Sequence, residues 1–157
     1  MNRTKKAFTM IEIIFVIVIV GILSIVAIEK LAVTRADAKI AKLTKAIQTT
    51  QSEIILSIIA QNHIPQNREE LESISSTITE LSPDFTIKVV NDKSIEFIDT
   101  DSGAEVCKIL TINDSDISKV TLEYSNGSGK GVICQGVREL IPSTSSDFII
   151  AGNAVVY

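Results

Sequence analysis

The chain is 157 residues long, with two cysteines, one histidine and a formal net charge of −4. Such a length holds one apolar anchor and one modest domain, and the acidic balance argues against a large basic surface for nucleic acid. Charge is also segregated: residues 30–45 carry Lys30, Arg35, Lys39, Lys42 and Lys45 against Asp37 alone, whereas residues 68–157 sum to −8. The basic run reads first as a solvated helix face, and second as a strip that pairs with acidic faces of neighbouring copies.

A short basic head, with Lys5 and Lys6, runs into an apolar rod from Phe8 to Ile28. Those 21 residues contain one charge, Glu12. As helix they span about 31 Å, close to the ~30 Å hydrocarbon thickness of a bilayer. Val and Ile are abundant, but a strand so long and so uniformly apolar is not expected, and length decides for a membrane helix. A secretory signal peptide has a shorter apolar core followed by a small-residue cleavage site, and no clear A-x-A site follows here. A plain single-pass anchor leaves Glu12 unexplained. An ionisable group in an apolar span costs roughly 2.5–3.5 kcal/mol and normally has a partner.

Ala7-Phe8-Thr9-Met10-Ile11-Glu12, with the apolar run behind it, resembles the class III signal of type IV pilins and type II secretion pseudopilins. The resemblance implies that a membrane peptidase cuts between Ala7 and Phe8 on the cytoplasmic side and methylates the new amine of Phe8. It implies four segments: a leader at 1–7, a membrane and filament-core helix at 8–28, an amphipathic continuation at 29–62 and a globular head at 63–157. Loss of Arg3, Lys5 and Lys6 with the leader takes the net charge from −4 to −7. Ala7 replaces the usual Gly before the cut, Met10 stands where Leu is commonest, and Glu29-Lys30 stands where many members have Pro-Lys.

The chemistry of the motif has a reading of its own. Cleavage places an ammonium on Phe8, one helical turn from Glu12. When rods bundle, Glu12 of one copy meets the Phe8 amine of another and both are neutralised. Removing one partner of such a buried pair costs about 3–5 kcal/mol, enough to act as a register lock. The basic leader favours a cytoplasmic N-terminus. The basic run after the span competes with it, but long translocated segments weigh less, so the head is expected outside.

Beyond Ile28 the helical pattern continues: Leu31, Ile40, Leu43, Ile47, Ile54, Ile55 and Ile58 recur mostly at three- and four-residue steps, with no Pro or Gly from 22 to 64. One helix from about Thr9 to Gln61 is predicted, its second half laying an apolar stripe on a core, with a coiled-coil partner as the alternative. Asn67 followed by Glu70 reads as an N-cap with its capping-box partner, opening a helix that continues through Leu71, Ile74, Ile78 and Leu81. From Phe85 the period changes to two. Strands are predicted over 85–89, 95–97, 104–110, 120–124 and 132–137, separated by turns at Asn91-Asp92-Lys93 and Asp99–Gly103 and a loop at 126–131. A four- or five-stranded antiparallel meander results, covered on one face by the helix. The fold class is therefore α+β, and the resemblance implies that it is pilin-like.

Cys107 and Cys134 are expected to form a disulfide, as a lone pair in an exported chain usually does. The arrangement resembles the C-terminal disulfide region of many type IV pilins, and many major pseudopilins lack it. Catalysis finds little footing: His63 is alone at a helix exit and reads as a surface residue, and Gly127–Gly131 imitates a phosphate loop only superficially, with a strand expected after it. Asp99, Asp101 and Glu105 suggest calcium, but Leu110 stands where an EF-hand needs Glu, and a plain turn is the preferred reading. Asn126-Gly127-Ser128 and Asn113-Asp114-Ser115 match glycosylation sequons. No catalytic residue, metal or cofactor is therefore assigned. The expectation is a structural filament subunit, held in the inner membrane and then in a pilus. Its partners are other pilins, the prepilin peptidase, the inner-membrane assembly machinery and lipid. A secretion pseudopilin is the alternative, and a membrane-tethered binding domain that never assembles is a third reading.

Overall fold

The structure, a computed structural model, describes residues 9–79, 82–101, 103–116, 119–143 and 145–149. Its contacts divide the chain into two units, Met1–Ala36 and Asp37–Tyr157. Helix α1, Met10–Gln61, contributes to both and is 52 residues long.

In the first unit α1 is apolar on every side from Ile13 to Ile28, ahead of Lys30 and Arg35. Its run Met10–Ile28 has a mean hydropathy of 3.1 and none of it is buried. The few polar groups there are folded back on the helix. Ser24 donates from Oγ to the Val20 carbonyl at 2.7 Å, so its hydroxyl meets a protein acceptor rather than the surroundings.

In the second unit the same helix becomes two-faced. Leu43, Ala46, Ile47, Thr50, Ile54 and Ile58 are buried at three- and four-residue steps, while Lys45, Ser52, Leu56 and Ile59 stay exposed. The helix ends where Asn62 takes the left-handed conformation (φ 48°), which short polar side chains tolerate. Asn67 then caps α2 (Arg68–Ile74), its Oδ1 accepting from the Glu70 N–H at 2.8 Å. The Glu70 carboxylate reaches back to the N–H of Gln66 at 2.9 Å, so the expected box forms with its return bond displaced by one residue.

The second helix does not run on as the sequence suggested. It breaks at Ser75 (φ −114°, ψ 119°) and resumes as the single turn α3, Ser76–Thr79; Leu81 lies outside the described residues. A side-chain acceptor on α1 accounts for the break. Glu53 takes hydroxyl hydrogen bonds from Ser75 at 2.5 Å, Ser76 at 3.0 Å and Thr77 at 3.3 Å, and short hydroxyl side chains readily trade helix for such bonds.

Five antiparallel strands follow in the order β1-β2-β3-β4-β5: Phe85–Asn91, Ser94–Asp99, Glu105–Asp116, Lys119–Asn126 and Ser145–Ile149. Alternation sets the inner face. Phe85, Ile87 and Val89 of β1, Ile95 and Phe97 of β2, Leu110 and Ile112 of β3, and Val120, Leu122 and Tyr124 of β4 are buried in one cluster with the α1 stripe. Each such side chain, fully buried, contributes about 1.5–3 kcal/mol. The Tyr124 hydroxyl donates to Gln51 Oε1 at 2.8 Å, giving the sheet a polar tie to the helix. β3 starts at Glu105 rather than at residue 104, because Ala104 and Gly103 turn the chain with positive φ (61° and 97°). Residue 107 is bulged out of the β2 pairing, with Phe97 opposite Lys108 and Ile98 opposite Val106.

The strand expected at 132–137 is instead helix α4, Val132–Leu140. Ile133, Cys134, Val137 and Ile141 are buried while the adjacent Val132 is exposed, a three-and-four spacing that a strand's two-residue alternation does not produce. The helix lies close to α1: a Cβ on Gly136 would meet Ile40 Cδ1 at 2.4 Å. The fifth strand is β5, after this helix.

Candidate functional site

The first turn of α1 holds the residues singled out for assembly. Ala7 and Phe8, where cleavage and methylation were expected, lie outside the described residues. Thr9 begins the helix, its carbonyl accepting from the N–H groups of Glu12 at 3.1 Å and Ile13 at 3.3 Å. Glu12 reaches back: its Oε2 lies 3.5 Å from both the N–H and the hydroxyl of Thr9. This is the spacing of a capping box at the long limit of hydrogen bonding, with the carboxylate favourably placed at the positive end of the helix dipole. A shallow hollow of about 240 Å³ runs beside it, lined by Glu12, Ile13, Val16 and Ile17. One carboxylate thus stands at the mouth of an apolar notch, beside side chains that are all exposed. Chemically this arrangement accepts an apolar side chain and, next to it, a cation.

The second constellation lies in the head. Cys107 on β3 and Cys134 on α4 are joined by a disulfide, and both are fully buried. Around it the loop from Asn126 to Gly131 is fastened to β3. Gly127 and Gly129 donate to the carbonyls of Cys107 and Val106 at 3.1 and 2.9 Å. Glycine is needed at both places: a Cβ would come within 2.1 Å of the Val106 oxygen at Gly127 and 2.6 Å of Cys134 Sγ at Gly129. Arg138 closes the loop from the other side, donating to the carbonyls of Gly127 at 2.6 Å and Gly129 at 2.5 Å. Glu105 accepts from the N–H groups of Lys130 and Gly131 at 2.9 and 2.7 Å, just ahead of α4.

These contacts decide several readings of the sequence. A helix, not a strand, follows Gly127–Gly131, which brings the stretch nearer to a phosphate loop in layout. Glu105 nevertheless already takes the N–H groups of Lys130 and Gly131 and sets a carboxylate where an anion would approach. The calcium candidates are dispersed: Asp101 pairs with Lys39, Glu105 caps the loop, and Asp99 is buried with Oδ1 accepting from the Asp101 N–H at 3.2 Å. Among the described residues no group of three His, Cys, Asp or Glu side chains is placed to hold a metal. His63 sits half-exposed with Nε2 2.7 Å from Glu70 Oε1. Within the basic run, Lys39 and Lys42 turn to their own head, Lys42 meeting Asp84 at 2.7 Å and Lys39 lying 3.7 Å from it. The Lys42 bond holds the Asp84 carboxyl below the usual carboxylate range, outweighing the partial burial that raises it.

Sequence reasoning missed Arg138 and Lys108, and weighed Glu105 only as a calcium candidate. Lys108 is fully buried, with Nζ 2.8 Å from Asn126 Oδ1 and 3.3 Å from Ser143 Oγ. Burial, with the nearby Arg138 charge, pushes its ammonium below the ordinary lysine range. The Asn126 sequon is thereby engaged from within the fold. A lone lysine in a strand carries no such signal in sequence. The one hint was the short repeat of glycines at 127, 129 and 131, which marks close backbone approach.

The architecture defines a class first: an α+β head whose principal helix also carries an unburied apolar rod. The family model described as the prokaryotic N-terminal methylation motif matches residues 2–28. That motif is the class III signal, the hallmark of type IV pilins and pseudopilins, and over residues 2–28 it supports a pilin-like or pseudopilin-like prepilin. No curated protein and no solved structure matches the chain significantly. The motif implies processing by the prepilin peptidase, membrane anchoring and assembly into a filament, and proteins that carry it are structural subunits.

Proposed function

We propose that this chain is a structural, non-enzymatic subunit of a type IV pilus-like filament. The observation that carries the reading is the rod itself: from Met10 to Ile28 every side of α1 is apolar and unburied, and a single carboxylate stands at its start. Such a surface is stable only in lipid or against other rods. The chain is held in the inner membrane with its N-terminus cytoplasmic and its head periplasmic. The peptidase cuts between Ala7 and Phe8 and methylates the Phe8 amine, and the rods then bundle. In the bundle, Glu12 releases Thr9 and takes the Phe8 ammonium of a neighbouring copy, so neither charge is left alone in an apolar setting.

A pseudopilin of a type II secretion system would use the same rod and the same processing. The disulfide between β3 and α4 favours the pilus reading, since it resembles the C-terminal disulfide region of many type IV pilins.

The test is the intact mass of the protein in material sheared from cells. A pilus subunit is abundant there, begins at methylated Phe8, and is two hydrogens lighter than the reduced chain. Cleaved protein that stays wholly with membranes favours the pseudopilin. Protein that keeps Met1–Ala7 and never leaves the membrane overturns both readings in favour of a tethered domain.

A further inference from the structure

Among the described residues of the second unit, the large apolar side chains left exposed are Leu56, Ile59, Val90, Val132 and Leu140, and four of these five lie on two helices. On α1, Leu56 and Ile59 are 65% and 50% exposed. They share a face with Lys45 and Ser52, since steps of seven and eleven residues return to nearly the same side of a helix. Lys45 is exposed and forms no ion pair among the described residues. On α4, Val132 and Leu140 are 69% and 60% exposed. Glu139, seven residues from Val132 and so on its face, is exposed as well. Each helix thus presents apolar side chains with one charge that is unpaired among the described residues, and the two charges are opposite.

We infer that in the filament α4 of one copy lies on the outward face of α1 in the next, with Glu139 against Lys45 and Val132 beside Leu56. This rests on the reading of the chain as a filament subunit and deepens it. Glu139 and Val132 are about 10 Å apart along α4, and Lys45 and Leu56 about 16 Å along α1, so with the charges paired Val132 stands over Ser52 with Leu56 one turn beyond it. Charge excludes the self-pairings. Two α1 faces would oppose Lys45 to Lys45, and two α4 faces Glu139 to Glu139, whereas α4 on α1 pairs unlike charges. Because the two faces differ, the contact is heterologous. Repeated without closing, it propagates as an open filament rather than ending as a dimer.

The test uses full-length chains in cells that form the filament, comparing Lys45→Glu, Glu139→Lys and the double exchange. Either reversal alone places like charges across every contact and lowers the sheared yield about tenfold, equivalent to about 1.4 kcal/mol. The double exchange restores it. All four residues in question are exposed, and an unchanged disulfide content and melting temperature checks that each variant is folded. Filaments grown from a mixture of light and heavy-nitrogen chains, treated with a carbodiimide, yield a Lys45–Glu139 linked peptide with one light and one heavy half. Filaments that form normally in both single variants, or that give only same-chain links, overturn the contact and leave the assembly reading intact. An unaltered chain that keeps Met1–Ala7 and never leaves the membrane overturns the assembly reading, and the contact with it.

Discussion

The rod and the sheet are made from the same side chains and differ in what they do with them. Ile13, Ile17 and Val20 on α1 are more than half exposed, while Ile95, Ile112 and Val120 are at or below 1%. What separates them is pattern rather than composition. In β1 and β2, apolar residues alternate with Thr86, Lys88 and Glu96, so one face can be buried while the other stays hydrated. Between Ile13 and Ile28 no charged residue interrupts the rod, and no face is left to be wetted. The lesson is that a two-faced element finds its partner inside the chain, whereas a one-faced element must find it outside.

The largest effect expected from this contrast is at Glu12. Replacing Glu12 with Ala should leave membrane insertion and the head untouched, yet remove filament from the sheared fraction. An unpartnered buried ammonium costs about 3–5 kcal/mol at every subunit contact. Comparing sheared and membrane-bound protein by immunoblot checks it. Normal filament yield would break the assignment of different tasks to the two regions.

Next in size is the disulfide, which belongs to the head alone. The Cys107→Ser and Cys134→Ser pair opens a link spanning 27 residues, which in the chain-entropy model removes about 3.5 kcal/mol of stability. Thermal or denaturant unfolding of the detergent-solubilised chain reads it out. Loss of head stability together with retention of inserted rod would sharpen the comparison, because the rod depends on lipid and not on the head's crosslink.

The smallest effect is a pH dependence confined to the head. Burial raises the Glu53 carboxyl, but hydrogen bonds from Ser75, Ser76 and Thr77 together hold it below its ordinary value. The Lys93 ammonium, 2.5 Å away, does the same for Asp114 against a smaller effect of burial. Depressed carboxyls bind protons more weakly when folded. Their contribution is present above the unfolded values of about 4, and fades as pH falls through the lower folded ones. Melting temperatures measured downward from pH 5 should therefore fall, and Glu53→Gln should flatten the fall.

Much of this was legible in sequence where one physical rule dominated. Length and uniform hydrophobicity announced the rod, Asn67 and Glu70 announced the cap, and alternation announced β1 and β2. The misreadings arose where tertiary contacts overruled the local pattern. Val132-Ile133 next to Cys134 reads as strand, yet the spacing of Ile133, Val137 and Ile141 is what α4 uses once Ile40 of α1 and the disulfide set its position. Ser75 breaks a helix because of Glu53, a residue 22 positions away. Lys39 and Lys42 find Asp84 across about twice that gap in the chain, 42 positions from Lys42, and nothing local to either lysine foretells it.

Residues 105–107 of β3 carry an unusual share of the fastenings. Glu105 holds the amides before α4, Val106 and Cys107 accept from the two glycines, and Cys107 is bonded to Cys134. In mechanical terms this is one rivet line through the middle of a sheet. A force applied to α4 is carried into a central strand, flanked on both sides by β2 and β4, and loads their hydrogen bonds in shear. The segment from Asn126 to Leu140 then comes free only when the sheet itself gives way.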